Sequence, residues 1–366
     1  MSQSLIGAHK FDLDTPILCI DLDVMEDNMK KMAGFMRQRG KQWRPHQKCH
    51  KTPAIALKQM ECGAIGVTCA KVSEAEVMAA AGIRDILIAN MIAGRTKHER
   101  VASLCRHSDV IVACDDLAHV EPLAEVCRER GVTCRMLVEV NIGLDRVGID
   151  PGPKTVALAQ AIDRLDGVSL AGIMGYEGHL LRMENLDEKK RRIDEAMEIL
   201  AECHASIVAA GMPCEIVSAG GTGSYQFTSD CPGITELQAG GGIFADPMYR
   251  LQCKVTGLEY ALTVLATVVS RPTTERAILD SGRKTVNPDV QLPLVKGDSD
   301  AEVVRLSAEH CELKLGPESQ KLKIGDKIEL VVGYADFTTP LHDSFYGFRG
   351  DRLEVVWPIQ GRGKLQ

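Results

Sequence analysis

Several things are missing from this 366-residue sequence, and each absence removes a class of function. No run of about 18 consecutive apolar residues occurs, so a membrane-spanning helix is not expected. The opening segment, MSQSLIGAHKFDLDTP, is polar and lacks the apolar core of a secretory signal, which points to a cytoplasmic protein. No C-x-x-C pair occurs, and the 13 cysteines are scattered and odd in number. That argues for free thiols in a reducing compartment, against a disulfide framework or a structural zinc site. Most of these cysteines are read as core filler. Positive charge is also short: 43 Lys and Arg face 50 Asp and Glu, a net charge of −7, which gives nucleic acid no basic footprint. Internal repeats and low-complexity segments are absent. What remains is ordinary globular composition, 45% hydrophobic and 25% charged, long enough for a large barrel and an accessory domain.

From about residue 22 to residue 250, short apolar runs alternate with amphipathic stretches. The strand candidates are WRPHQ (43–47), AIGVT (64–68), DILIA (85–89), DVIVAC (109–114), CRMLVEV (134–140), SLAGIM (169–174), CEIVS (214–218) and TELQA (235–239). Helical patterns separate them, as at 73–82, 117–131 and 187–211, several ending at glycine. Eight strand–helix units in a row suit an α/β protein built on a (β/α)8 TIM barrel over residues 22–250. An open doubly wound sheet is the competing architecture. After residue 251 the pattern changes: ALTVLATVVSR, RAILDSG, AEVVRLS, KIELVVG and RLEVVWPI read as strands with little helix. This is a second, C-terminal all-β domain, 251–366. The strand-like PILCIDLD (16–23) is assigned to it along with the rest of residues 1–21.

Chemistry in such a barrel sits at the C-terminal ends of the strands. The first strand runs into RPHQKCHK (44–51), a cluster of cations in which Lys48 should point into the barrel top. A lysine among cations has a lowered pKa, as a Schiff-base lysine needs. A solvated basic loop explains the composition equally well. The order strand, R-P-H-x-K-x-H-K, helix resembles the D-threonine aldolase and D-serine dehydratase group, relatives of alanine racemase with a fold-type III pyridoxal-phosphate barrel. IDLDVMEDNMKKM (20–32), TCAKVSEAEVMAAAGI (68–83), VEVNIGLDRVGI (138–149) and WPIQGRGK (357–364) extend the resemblance along the chain. It implies pyridoxal 5′-phosphate as cofactor, covalently held by Lys48, a D-amino acid as the small-molecule substrate, and a homodimer.

Further residues follow the later strands. SAGGTGSY (218–225) and ELQAGGGIFAD (236–246) are glycine-rich turns after the seventh and eighth strands, where a barrel phosphate site recurs. One such turn alone would be ordinary turn structure. The pair assigns Gly221, Thr222, Gly223 and Gly242 to the cofactor phosphate through backbone amides. The resemblance gives Arg146, in the loop after the fifth strand, the cofactor's phenolic oxygen; a surface arginine opening the next helix is the alternative. GYEGH (175–179), after the sixth strand, supplies Tyr176 and His179, with His179 a candidate general base. A histidine that merely hydrogen-bonds to neighbouring loops fits the spacing as well.

The largest departure lies in the β domain. Metal-dependent members of the group carry H-x-D or H-x-C in a segment like G-H-x-D-P-T-x-x-L-H-D, whereas this chain reads GYADFTTPLHD (333–343). Asp336 is retained, but Tyr334 stands where the metal-binding histidine belongs. One carboxylate is a poor transition-metal site without imidazole or thiolate help. That leaves a weakly held Mg²⁺ or Mn²⁺ at Asp336, with His342 as a further donor, or no metal and Tyr334 as a phenolic acid or base. The expected activity is aldol cleavage of a D-3-hydroxy amino acid to glycine and an aldehyde. Dehydration of D-serine or D-3-hydroxyaspartate is the runner-up. Racemisation and non-catalytic cofactor binding are the remaining readings.

Overall fold

The computed structural model describes residues 5–297 and 300–366. The chain opens with strand β1 (Ile17–Asp21) and helix α1 (Leu22–Gln38), whose N-cap Asp21 accepts a hydrogen bond from the Val24 amide at 3.1 Å. Strands and helices then alternate: β2 (Gln42–Trp43), α2 (Pro53–Glu61), β3 (Val67–Cys69), α3 (Val72–Ala80), β4 (Asp85–Ile88), α4 (Arg95–Leu104), β5 (Asp109–Cys114) and α5 (Leu117–Glu129). They continue with β6 (Cys134–Glu139), α6 (Pro153–Asp163), β7 (Val168–Met174), α7 (Leu186–Ala209), β8 (Ile216–Ala219), the short α8 (Tyr225–Thr228) and β9 (Glu236–Leu237). All eight expected barrel strands are present, shorter than their apolar runs at several ends.

The eight strands are parallel and lie in the order β2-β9-β8-β7-β6-β5-β4-β3. The ring closes between β2 and β3 through a parallel bridge, His46 with Thr68, and through Ile65 N–H to Trp43 O at 2.9 Å and Thr68 N–H to Pro45 O at 3.0 Å. Chain-order neighbours all the way round leave no switch point, so the open sheet is excluded. Alternation along each strand sorts the side chains. Leu87, Ile111, Ala113, Leu137, Ala171, Met174 and Ile216 pack together as one small cluster, while Ile86, Ile88, Val110, Val112, Met136 and Val138 join the larger core shared with the helices.

The second sheet contains β10 (Leu262–Thr273), β11 (Arg276–Leu279), β12 (Leu294–Val295), β13 (Ala301–Leu306), β14 (Cys311–Leu315), β15 (Lys327–Val331), β16 (Ser344–Arg349) and β17 (Arg352–Pro358). Its main path is β13-β14-β11-β10-β1-β16-β17, with β15 also paired to β10 and β12 to β15. β1 runs antiparallel to β10 and parallel to β16, so the early strand sits inside this sheet. Between β15 and β16 the short helix α9 (Ala335–Thr338) meets the barrel. There Ala335 N–H donates to Asp246 Oδ2 at 2.9 Å and Thr339 Oγ1 donates to Cys49 O at 2.7 Å. Among the described residues no helix is long and apolar enough to cross a membrane.

Candidate active site

A cavity of about 440 Å³ opens at the C-terminal ends of the barrel strands. That is the size of a small-molecule site. Lys48 lies on its wall, on a short helical turn, Gln47–Cys49, that follows β2. The His46 ring at the N-cap of that turn accepts the Lys48 amide at 3.3 Å and fixes where the lysine leaves the backbone.

The cation cluster does not act as a cluster. Arg44 is buried at the opposite end of the barrel, against the residues that open two strands: Glu236, 3.0 Å away, and Asp85. Lys51 pairs with Glu74. Burial holds His46 well below the usual imidazole range and His50 at about 3, so both rings are neutral. Among the described residues Lys48 forms an ion pair with Asp336 alone, whose Oδ2 is 3.4 Å from Nζ. The expected lowering of the Lys48 pKa is therefore corrected. Asp336 holds the ammonium above its ordinary value, and burial opposes it only in part.

Arg146 also borders the cavity. Its loop after β6 is shaped by Asn141, which accepts the Gly143 amide at 3.1 Å and donates to Asp145 at 2.8 Å. The guanidinium lies 3.9 Å from Glu139 Oε1 and 5.9 Å from the centre of the Tyr176 ring. Glu139 closes β6, lines the cavity and is buried. Burial pushes its carboxyl up to about 7, with Arg146 pulling the other way and Asp115 adding to the rise.

The two glycine turns face each other across the mouth, and the Thr222 hydroxyl joins them by accepting the Gly242 amide at 3.1 Å. Gly220, Gly221, Thr222, Gly240 and Gly241 line the cavity. Gly223 and Gly242 stand behind that surface. Lys189 Nζ donates to the Gly223 carbonyl at 2.8 Å, and Gly242 packs on Met32. Among the described residues no protein acceptor meets the amides of Thr222 and Gly223. Side chains would crowd a neighbour at two positions. A Cβ on Gly221 would sit 2.9 Å from Tyr176 Oη, and one on Gly240 would sit 2.1 Å from the His46 carbonyl oxygen.

Tyr176 lines the cavity, and burial pushes its phenol up to about 12, with nearby Lys48 opposing. His179 is exposed, does not border the cavity, and lies against Gly143. Tyr249 is a cavity residue that the sequence reading passed over. It follows the second glycine turn in a π-helical segment, Met248–Gln252, where no strand or helix pattern drew attention to it.

Asp336 lies on the β-domain side of Lys48 and is 9% exposed. Its Oδ2 accepts the Tyr334 hydroxyl at 2.8 Å, and its Oδ1 is buried without a partner. His342 points elsewhere: its Nε2 donates to the Thr285 carbonyl at 2.8 Å. Among the described residues no three His, Cys, Asp or Glu side chains gather to hold an ion. This donor set does not fit a divalent transition metal, which needs imidazole, thiolate or several carboxylates.

A closed parallel barrel with an amine and paired glycine turns at its mouth, roofed by an antiparallel sheet, defines a class of small-molecule enzyme. Residues 20–247 match the family model described as alanine racemase, N-terminal domain, and residues 261–348 match a serine dehydratase domain. The chain belongs to this alanine racemase-like family, whose enzymes use pyridoxal phosphate. A 3-hydroxy-D-aspartate aldolase of Paracoccus denitrificans is 33% identical over 370 residues, covering 99% of this chain and 95% of that protein. A D-threo-3-hydroxyaspartate dehydratase of Delftia is 30% identical over 280 residues, covering 76% and 73%. The crystal structure of a D-threonine aldolase from Filomicrobium marinum superposes with a TM-score of 0.96 at 37% identity, covering 99% and 98%.

Proposed function

We propose that this chain is a pyridoxal-phosphate lyase that cleaves a D-3-hydroxy amino acid to glycine and an aldehyde. The observation that carries the reading is Lys48, a cavity-lining amine whose cationic sequence neighbours are all paired elsewhere or neutral. The cavity suits the cofactor in size and in donors. Lys48 would be the covalent anchor, Arg146 the partner of the ring's phenolic oxygen, and Thr222 and Gly223 the core of the phosphate cradle, since the Gly221 and Gly242 amides already donate to Ser224 and Thr222. The unpaired Thr222 and Gly223 amides support the cradle. When bound, the cofactor supplies an electron sink for the bond that breaks at the α-carbon.

The side chains divide the remaining work. Glu139 orients Arg146 by charge, and Tyr176 forms one wall of the cavity beside the first glycine turn. An aldol cleavage requires an acceptor for the proton of the substrate's 3-hydroxyl. His179, the base nominated by sequence, stands outside the cavity. The aldolase reading is favoured over dehydration because the aldolase relatives are the more similar: 33% and 37% identical, with a TM-score of 0.96, against 30% and 26% with a TM-score of 0.88 for the dehydratase. Residues 22–250 are assigned to the cofactor-binding barrel and 251–366, with 1–21, to the β domain. A homodimer and a cytoplasmic location complete the proposal; the latter is supported by thirteen unpaired cysteines.

Two measurements test it. Purified holoprotein given D-threonine and D-3-hydroxyaspartate should release an aldehyde and glycine, while the L-isomers stay intact. A 2-oxo acid with ammonia would replace the reading by a dehydratase, and no product from any of them would leave a cofactor-binding protein. Independently, the protein should be yellow, and Lys48→Ala should lose the visible band. Retention of the band, with borohydride labelling of Lys51, would overturn the anchor.

A further inference from the structure

The first turn of α9, facing Lys48, contains an acid group that the reading above leaves unused. Asp336 is more than nine-tenths buried, one of its oxygens has no partner, and the other is held by the Tyr334 hydroxyl and lies 3.4 Å from Lys48 Nζ. A buried acceptor without a donor keeps the desolvation cost of its burial uncompensated, and the more so when it is charged. Nearby protein groups do not relieve it, since the Tyr334 proton is already directed at Oδ2 and His342 is tied to the Thr285 carbonyl. A ligand with an O–H group beside Lys48 would supply the missing donor.

We propose that Asp336 is the group that takes the proton of the substrate's 3-hydroxyl, with Tyr334 as the positioning residue that fixes its other oxygen, so that cleavage here needs no added divalent metal. The inference rests on the lyase reading and names the acceptor that reading requires. In the step, the hydroxyl proton passes to Asp336, the C3–O bond becomes the aldehyde carbonyl, and the C2–C3 bond breaks. The bound cofactor would supply the electron sink for the pair of that bond, and C2 would regain a proton from the site before glycine leaves. No oxidant, reductant or second substrate is needed. Tyr334 performs by hydrogen bonding what an ion would do by charge: it holds the carboxylate in one orientation.

The test uses the holoenzyme with D-threonine, with and without a chelator, together with calorimetric titration of Mn²⁺. Aldehyde release should change less than twofold with chelator, and Mn²⁺ should show no binding tighter than millimolar. Asp336→Asn should lower kcat for aldehyde release at least 100-fold while keeping the visible band and the exchange of the α-hydrogen of D-alanine, a substrate without a hydroxyl. Tyr334→Phe should lower kcat about tenfold with KM little changed, and Tyr334→His should gain Mn²⁺ binding. Tight Mn²⁺ binding by the native protein, a tenfold loss on chelation restored by Mn²⁺, or an Asp336→Asn variant of near-native rate would each overturn the proposal. If no 3-hydroxy amino acid is cleaved under any condition, the lyase reading fails and the acceptor proposal fails with it. A Mn²⁺ requirement in an active enzyme would refute the acceptor proposal alone.

Discussion

Arg44 and Lys48 are four residues apart in one basic segment, yet they serve opposite ends of the barrel. Arg44 is bound by carboxylates at the strand starts, whereas Lys48 faces the cavity at the strand ends. The sequence could locate the segment but not divide it, because the deciding carboxylates lie 41, 192 and 288 residues away. Glu139 makes the residue scale testable. Its carboxyl titrates at about 7 in the folded apoprotein against 4.5 ordinarily, so the folded state keeps its proton longer than the unfolded one. The resulting stability is complete below pH 4.5 and is lost as pH rises through 7, a change on the order of 3 kcal/mol. Glu139→Gln should flatten that part of the stability profile. Urea melts of apoprotein and variant at pH 5 and pH 8 check it, and parallel profiles would refute the assignment.

At the scale of elements, the two glycine turns do different work despite similar composition. Gly221 approaches the end of a side chain, Tyr176 Oη, which can move; Gly240 approaches backbone, the His46 carbonyl at the β2–β9 seam. Gly221→Ala should therefore push Tyr176 into the cavity and weaken cofactor binding roughly tenfold with the Tm nearly unchanged. Gly240→Ala should part the seam and cost about 2 kcal/mol or more of stability. Spectroscopic cofactor titration and thermal melts separate the two, and equal effects on both would sink the distinction. The sequence marked both turns as glycine-rich and at the correct strands. It could not show that Gly223 and Gly242 stand behind the cavity while Gly240 and Gly241 line it. That depends on which peptide faces inward, a matter of local torsion that residue type does not encode.

For the molecule as a whole, period-two and helical patterning made the barrel legible, because each strand–helix unit carries its own signal. The roofing of the mouth by α9 carries no local signal, and Asp336 was placed only by resemblance. The same roof exposes apolar surface: Phe337 in α9, Leu341 just after it, and Val147 on the cavity wall. A second subunit covering that rim would bury them, in line with the proposed homodimer. Phe337→Asp should convert the dimer to a monomer and lower activity at least tenfold. Sedimentation equilibrium checks it, and a native protein that sediments as a monomer would dismiss the idea.

The place of β1 inside the second sheet also bears on how the chain is made. β1 is finished at Asp21, but its neighbours β10 and β16 begin at Leu262 and Ser344. At roughly 5–20 residues per second, the ribosome needs on the order of 15–65 s to deliver the last of them. During that interval an apolar strand, ILCID, has emerged with both edges open, while the barrel strands behind it can already close. The nascent polypeptide is thus expected to depend on chaperone shielding of β1 until β10 and β16 emerge, and a circular permutant that places this strand after β17 should fold with less aggregation.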